Sequence, residues 1–421
     1  MNTTTNGPTV APFTIDVTDA ALEDLRTRLD LTRLPSVVDE TVVEQGVTLA
    51  DVRELLRYWR EDFDWSVQQA RLNALPQVTV TTEDGVLHAV HQRAGREGAP
   101  AVMLLHGWPD TFARYAAVVP MLVDAGYDVV VPSLPGTAWS SEPSGPATLA
   151  DAGERLHGLM AALGYDRYAV HGGDWGAGVA DAIAAAHPEA LYALHLADVP
   201  FSKVFTIDRE TASEAEKAYL ERFEAFGADT GQGLYYTIQS EMPTLFSIGL
   251  TDSPVALAAW HLSRFMMWCE ERPSLDDVLT NVMLHWVTDS TRSAMRFYAE
   301  GLAWDGGDDA DWSADAGTDW AQAEGSQTEA AETEEAGTEE ADAEEAGDWG
   351  GDWTVTPIAV PTGIAAFPRD LAGVPPREYA ERFYQVEQFT VMPPGGHFGA
   401  LEDPTALAED LRTFLARFAT D

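Results

Sequence analysis

The spacing of apolar residues changes three times along this chain of 421 residues. In residues 1–76 leucines recur at helical spacing, over 21–29 and again over 49–64, so we predict helices joined by turns. From residue 77 short runs of β-branched residues alternate with helix-like stretches, which is typical of a mainly parallel sheet covered by helices. The sequence therefore predicts an α/β core behind an N-terminal helical meander.

The α/β part of the pattern resolves into individual elements. Predicted strands lie at 78–82, 86–92, 101–105, 128–132, 191–196, 358–367 and 389–392, with another that begins at 168. Predicted helices lie at 111–125, 148–163, 177–187, 377–384 and 404–419. We assign 77–200 and 354–421 to this core.

Two segments interrupt the alternation. Residues 201–300 are helix-like and rich in Trp and Met, and we predict a helical lid over the sheet edge where the strands' carboxyl ends meet. Residues 301–353 carry 18 acidic and no basic residues and no clear apolar face. We predict that this acidic insertion is disordered.

The stretch Y-A-V-H-G-G-D-W-G-A-G (168–178) predicts a strand, a sharp turn and a helix. Gly172 and Gly176 flank Asp174, and small residues are needed where a tight turn presses backbone against backbone. At such an apex a carboxylate can attack an electrophilic carbon and form an ester without a general base. The alternative is a plain helix N-cap, which an aspartate after glycine often provides.

Two later residues follow strands in an order that suits a catalytic trio. His397 comes after the last predicted strand, behind two glycines, and Asp370 follows the strand before it. Nucleophile, acid and histidine in this order match the hydrolase triad of α/β sheets. Glu402 and Asp403 are rival acids, but we predict that they cap the last helix. A histidine at the surface, or one whose hydrogen bonds serve only the structure, is the alternative for His397.

The loop H-G-W-P (106–109) follows the strand at 101–105. A loop at this place supplies one N–H of an oxyanion hole, and the residue after the nucleophile supplies the other. We therefore predict the backbone N–H groups of Trp108 and Trp175 as the donors. For His106 we predict a structural role, which is to hold this loop.

The acidic composition of the chain excludes some classes of binding partner. The 25 basic residues against 69 acidic ones give a net charge of −44, which argues against nucleic acid and anionic membranes. A salt-rich source would explain so acidic a surface. A single cysteine, Cys269, excludes an internal disulfide. Without a signal-like N-terminus or a long apolar run, we expect a cytoplasmic protein with no membrane span.

Four motifs together resemble the epoxide hydrolases of the α/β-hydrolase superfamily, most closely the microsomal-type enzymes. They are H-G-W-P (106–109), P-S-L-P-G (132–136), G-G-D-W-G (172–176) and G-G-H-F (395–398). The resemblance continues through 32–35, 58–65, 71–77, 251–260 and 275–286 and covers nearly the whole chain. It implies an α/β-hydrolase fold with an inserted helical lid and an N-terminal helical extension.

The resemblance also implies roles for individual residues. Asp174 matches the nucleophile, His397 the base that activates water, and Asp370 the acid behind it. Tyr235 and Tyr298 match two lid tyrosines that polarise the epoxide oxygen, although Tyr236 competes with its neighbour for the first position. The implied reaction converts a small hydrophobic epoxide and water to a vicinal diol, without metal or organic cofactor.

Two other functions stay open at this stage. A haloalkane dehalogenase shares the Asp-His-acid trio and the H-G-x-P loop, but it needs N–H donors for a halide, often from tryptophan. One fold hosts several chemistries, so Trp175 and the lid tryptophans keep this alternative open. The third reading is a non-catalytic binding protein with residues 301–353 as its interaction arm. A homodimer is compatible with all three.

Overall fold

The computed structural model describes residues 7–44, 46–301 and 357–419. Within these residues nine strands form one sheet in the order β1-β2-β3-β5-β4-β6-β7-β8-β9. The strands are β1 Thr9–Phe13, β2 Gln77–Thr82, β3 Gly85–Gln92, β4 Ala101–Leu105, β5 Asp128–Pro132, β6 Tyr168–Gly172, β7 Leu191–Leu196, β8 Ile358–Ala366 and β9 Tyr384–Val391.

The α-helices precede, interrupt and follow this sheet. They are α1 Asp19–Asp30, α2 Leu49–Glu61, α3 Trp65–Asn73, α4 Val118–Asp124, α5 Leu149–Ala162, α6 Trp175–Ala186, α7 Glu214–Ala228, α8 Thr230–Glu241, α9 Pro243–Asp252, α10 Pro254–Trp268, α11 Leu275–Trp286, α12 Thr291–Glu300, α13 Arg377–Glu381, α14 Gly399–Glu402 and α15 Pro404–Leu415. Short 3₁₀ turns lie at Phe112–Tyr115, Pro188–Ala190 and Phe201–Thr206.

Strand direction divides the sheet into two parts. The strands β1, β2, β3 and β5 pair antiparallel, whereas the pairs from β5 through β4, β6, β7 and β8 to β9 are parallel. Every residue of β4, β5, β6 and β7 is buried, as expected for central parallel strands. The carboxyl ends of β4, β6, β7, β8 and β9 therefore share one edge, and the predicted mainly parallel core is confirmed.

The N-terminal segment is not helical throughout, so the prediction for residues 1–76 was incomplete. Residues Thr9–Phe13 form an edge strand in which Val10 pairs with Val80 of β2. Four of the five strand residues are exposed, so the stretch lacks the alternation that would have revealed it. Several predicted helices were too long. Those at 49–64, 377–384 and 404–419 end at Glu61, Glu381 and Leu415, and that at 111–125 divides into a 3₁₀ turn and α4.

The helices α7 to α12, here called the inserted helices, occupy the segment between β7 and residue 301. The N-terminal helices pack against them through α10 and α11. Polar contacts join the two groups, because the Tyr58 hydroxyl donates to Asp276 at 2.9 Å and the Arg272 guanidinium donates to Asp51 at 2.9 Å. The predicted acidic insertion begins at the last described residue before the gap, and its remainder lies outside the described residues.

In the parts of the chain that the structure describes, no helix combines the length and the apolar character needed to cross a bilayer.

Candidate active site

The turn between β6 and α6 holds Asp174 in a strained backbone conformation. Its φ of 56° and ψ of −136° are rare for a residue with a side chain and cost on the order of 1–3 kcal/mol. A Cβ on Gly172 would lie 2.1 Å from the Gly176 carbonyl oxygen, and one on Gly176 would lie 2.4 Å from that of Leu105. The steric argument for glycine on both sides of the apex is confirmed.

The carboxylate of Asp174 does not cap the helix that follows it. Its side chain makes no capping hydrogen bond to α6, so the N-cap alternative is wrong. Instead Oδ1 accepts from the Trp108 main-chain N–H at 2.8 Å, and Oδ2 lies 3.1 Å from His397 Nε2. One oxygen thus faces the β4 loop and the other faces the histidine after β9.

The histidine and its acid come from two loops that pair with each other. Asp370 Oδ1 lies 2.6 Å from His397 Nδ1, and an isolated bridge joins Arg369 to Gly396. Gly396 is required here, since a Cβ on it would lie 2.0 Å from the Trp268 carbonyl oxygen. The His397 ring is therefore bonded at both nitrogens and is not the surface histidine of the alternative reading.

Charges around the imidazole set its protonation. Burial alone would lower the pKa of His397, but the charge of Asp370 and the hydrogen bonds that the imidazole donates to Asp174 and Asp370 raise that pKa well above its usual value. The resting site therefore contains an imidazolium between two carboxylates.

The β4 loop packs directly against the Asp174 side chain. A Cβ on Gly107 would lie 2.0 Å from Asp174 Oδ1, so only glycine leaves room for the carboxylate. His106 holds this loop, because its Nδ1 bonds the Gly107 carbonyl at 2.9 Å and its Nε2 accepts from the Leu134 N–H at 3.1 Å. Trp175 stands in the first turn of α6, where main-chain N–H groups have no helical partner.

Two tyrosines from the inserted helices lie beside each other over the site. The ring centroids of Tyr235 and Tyr298 are 5.9 Å apart, and Tyr235 stacks on Trp260 at 4.8 Å. The Tyr235 hydroxyl is buried and has no hydrogen-bond partner among the described residues. Tyr236 differs, since it is 36% exposed.

The phenols stay protonated at neutral pH. Burial raises the pKa of both Tyr235 and Tyr298, and the negative charge of Asp174 raises both further. Both hydroxyls are therefore hydrogen donors that feel the Asp174 charge.

Several polar residues near the site were missed from the sequence. The amide oxygen of Gln239 accepts from the indole N–H of Trp108 at 2.7 Å and from that of Trp260 at 3.4 Å. The buried guanidinium of Arg114 donates to the His397 carbonyl at 3.2 Å. Gln239 and Arg114 lie in helical turns whose pattern gave no sign of a site.

Asp198, which follows β7, accepts from the Asp174 N–H at 3.2 Å. Its place directly after a parallel strand was the one usable signal.

The two rival acids at the start of the last helix have different roles. Asp403 caps α15 by accepting from the Ala406 N–H at 2.9 Å, as predicted. For Glu402 the prediction was wrong. Its carboxylate accepts from the N–H groups of Gly396 and Glu270 and so ties the histidine loop to the segment after α10.

Asp198, Asp370 and His397 each bring a potential metal-ligand atom within 4.8 Å of the other two. The short contact between His397 Nδ1 and Asp370 makes this cluster a hydrogen-bonded acid–histidine pair. The absence of a metal or cofactor stays a prediction.

The chain is similar to known proteins over both its N-terminal extension and its α/β core. Residues 10–115 match the epoxide hydrolase N-terminus family, and residues 100–404 match the α/β-hydrolase fold family. A Stigmatella aurantiaca protein named "Putative epoxide hydrolase" is 31% identical over 96% of this chain and 84% of its own. Epoxide hydrolase 1 of Oryctolagus cuniculus is 27% identical over 96% of this chain and 88% of its own.

A solved structure agrees with the sequence relatives. The Aspergillus niger epoxide hydrolase superposes with a TM-score of 0.76 at 26% identity and covers 97% of both chains. The predicted fold class, with its N-terminal extension, and the predicted resemblance are thus confirmed. The family match and the relatives matched over most of their length point to the same fold in which the strained carboxylate lies at the apex of the turn. The chain therefore belongs to the epoxide hydrolase family of the α/β-hydrolase fold.

Proposed function

We propose that this enzyme opens epoxides through a covalent ester on Asp174. The observation that carries the proposal is the double hold on its carboxylate, one oxygen on the Trp108 N–H and the other on His397. Such a carboxylate is held in one orientation by a hydrogen bond on each oxygen. Helix N-termini such as that of α6 favour negative charge in the same place.

In the first half-reaction, Asp174 attacks an oxirane carbon and the ring C–O bond breaks. The oxygen leaves as an alkoxide, which takes a proton from Tyr235 or Tyr298. The buried Tyr235 hydroxyl, which has only the side chains of Tyr298 and Gln239 beside it as weak partners, donates to that oxygen. Donors aimed at a developing oxyanion contribute about 10²-fold or more in rate.

In the second half-reaction, the ester is hydrolysed. Ester formation removes one of the two negative charges that raise the pKa of His397, so that pKa falls and the imidazole releases its proton. That proton replaces the one lost from the phenol. Neutral His397 then takes a proton from water as the water attacks the ester, and Asp370 stabilises the imidazolium that forms. The N–H groups of Trp108 and Trp175 bind the oxyanion. On collapse the acyl C–O bond to the substrate oxygen breaks, that oxygen takes the proton of the newly added hydroxyl, and the diol leaves with Asp174 restored as a carboxylate.

Halide release is the competing chemistry, and the hydrogen bonds argue against it. A dehalogenase needs free indole N–H groups, but those of Trp108 and Trp260 donate to Gln239. The Trp268 indole donates to Gln232. The Trp175 indole is a hydrogen-bond partner of the Tyr298 hydroxyl. The phenol hydroxyls of Tyr235 and Tyr298 suit an oxygen leaving group. The same set of reactive groups also argues against a purely binding role.

Intact-protein mass spectrometry with a terminal aryl epoxide tests the ester directly. We expect His397→Gln to accumulate protein heavier by one epoxide, while Asp174→Asn gains no mass and turns over no substrate. Asp252→Asn, at an exposed carboxylate, is the control and should match wild type in diol formation. Added mass on Asp174→Asn, or unchanged turnover in both site variants, would end the proposal.

Three further parts of the proposal concern the setting of the reaction. The inserted helices serve as a lid, and their Trp and Phe side chains select small hydrophobic epoxides. The acidic surface keeps the protein active in molar salt. The proposal also includes a homodimer and a cytoplasmic location. Turnover measured at low and at molar salt tests the salt tolerance, and sedimentation under the same conditions tests the homodimer.

A further inference from the structure

Asp198 is a carboxyl group at the site for which the reaction above has no use. It lies two residues beyond β7, and its Oδ2 accepts a hydrogen bond from the Asp174 main-chain N–H at 3.2 Å. Its Oδ1 is buried and has no hydrogen-bond partner among the described residues. A buried carboxyl oxygen left unpaired is costly and calls for an explanation.

The same carboxyl borders the acid–histidine pair. Asp198, Asp370 and His397 each place an oxygen or nitrogen within 4.8 Å of the other two. A cavity of about 40 Å³ lies beside both carboxyls, and Tyr219 and Phe223 of α7 are among the residues that line it. That volume is enough for a water molecule, so Asp198 can be hydrated when it ionises.

The charges nearby do not balance if every acid is ionised. Asp174, Asp370 and Asp198 face the single imidazolium of His397, while Arg114 is paired with Asp110 at 2.6 Å. Burial, with the like charges of Asp370 and Asp174, raises the pKa of Asp198 to about 8. Asp198 is therefore the acid that keeps a proton. The titratable and charged groups around it are Asp174, Asp370, His397, Arg114, Tyr115, Tyr219 and Tyr384.

We propose that Asp198 is a positioning residue that anchors the nucleophile's main chain and serves as the reserve acid of His397. In wild type Asp370 carries the charge and Asp198 stays neutral. When Asp370 loses its charge, Asp198 loses the like charge that most disfavours its own ionisation, releases its proton to solvent and stabilises the imidazolium in place of Asp370. This inference rests on the proposed function.

A double-mutant cycle on diol formation measures this relation. We expect Asp198→Asn to lower kcat modestly in wild type, because the amide oxygen still accepts from the Asp174 N–H. In the Asp370→Asn background the same change should lower kcat by about tenfold more, which is within the range of couplings between contacting residues. Asp370→Asn with Asp198→Glu, which restores a charge, should exceed the double asparagine variant. Asp252→Asn in the Asp370→Asn background is the control and should have no effect.

A second measurement does not need turnover and so separates this inference from the proposed function. The downfield imidazole N–H resonance of His397 should persist in Asp370→Asn and vanish in the double asparagine variant. Equal effects of Asp198→Asn in both backgrounds would overturn the inference, as would loss of that resonance in Asp370→Asn alone. If wild type fails to hydrolyse epoxides, the proposed function falls, and the resonance still decides whether Asp198 is the reserve acid.

Discussion

Adding one methyl group at Gly107 should disable the nucleophile without unfolding the protein. The Cβ of Gly107→Ala would lie 2.5 Å from the Asp174 carboxyl carbon and 2.0 Å from Oδ1. Carbon atoms pack at about 3.5 Å, so the carboxylate must retreat by about 1 Å. The retreat also breaks the 2.8 Å hydrogen bond from the Trp108 N–H. Gly107 is not one of the described glycines with a positive φ, so the backbone itself tolerates alanine.

The size of the effect follows from this geometry. A misplacement of about 1 Å at a reacting group costs about 10²-fold in rate, or about 2.7 kcal/mol of transition-state stabilisation. We therefore expect kcat/KM for an aryl epoxide to fall by about a hundredfold or more, with a Tm within about 4 °C of wild type. Initial rates, together with the rate at which the His397→Gln background gains substrate mass, measure the loss.

The neighbouring Gly173 provides the matched control. A Cβ there would lie 3.3 Å from the Ala197 methyl group and would need a shift of only a few tenths of an ångström. Gly173→Ala should therefore lose less than about tenfold. Activity of Gly107→Ala within threefold of wild type, or an equal loss in Gly173→Ala, would refute the steric reasoning.

Two more substitutions test the site and its support. Tyr235→Phe should lower kcat about 10²-fold because it removes a donor to the leaving oxygen. Tyr236→Phe, at the exposed neighbour, should leave kcat unchanged. The reverse result would assign the donor role to Tyr236. Burial alone would raise the pKa of Asp410, but hydrogen bonds from His195, Thr390 and Gln388 lower it. The ionised Asp410 therefore stabilises the folded protein above about pH 4, and this stabilisation is lost as the pH falls through the lowered pKa. Asp410→Asn should therefore reduce the free energy of unfolding by about 1–3 kcal/mol at pH 7, with a deficit that shrinks towards pH 3 in urea titrations. A deficit that does not change with pH would contradict this account.

The apex of the turn was predictable because its constraint is local in sequence. Gly172, Asp174 and Gly176 lie within five residues, and the space for a side chain at Gly172 is taken by the Gly176 carbonyl of the same turn. The carbonyls that exclude a Cβ at Gly176 and Gly396 belong to Leu105 and Trp268, which are distant in sequence. The chain order of nucleophile, acid and histidine then placed Asp370 beside His397 at 2.6 Å. Local sterics and strand order are both legible from a single sequence.

Contacts made across the fold were not predictable in this way. Glu402 has the position of a helix cap, but its partners are the N–H groups of Gly396 and Glu270, which no local pattern links to it. Gln239 reads as a polar position on a helix, yet its amide oxygen accepts from Trp108, which precedes it by more than a hundred residues. A polar residue whose partners arrive from another element carries no periodic signal.

Asp198 marks the point at which chain order itself becomes ambiguous. Strands β7 and β8 are parallel neighbours, with Leu196 opposite Ile364, so acids that follow either strand arrive at the same edge. The histidine after β9 meets both of them, because β9 pairs with β8. The order of elements along the chain therefore admits two acids. The hydrogen bonds decide between them, since Asp370 lies 2.6 Å from His397 Nδ1, whereas Asp198 accepts from the Asp174 main-chain N–H.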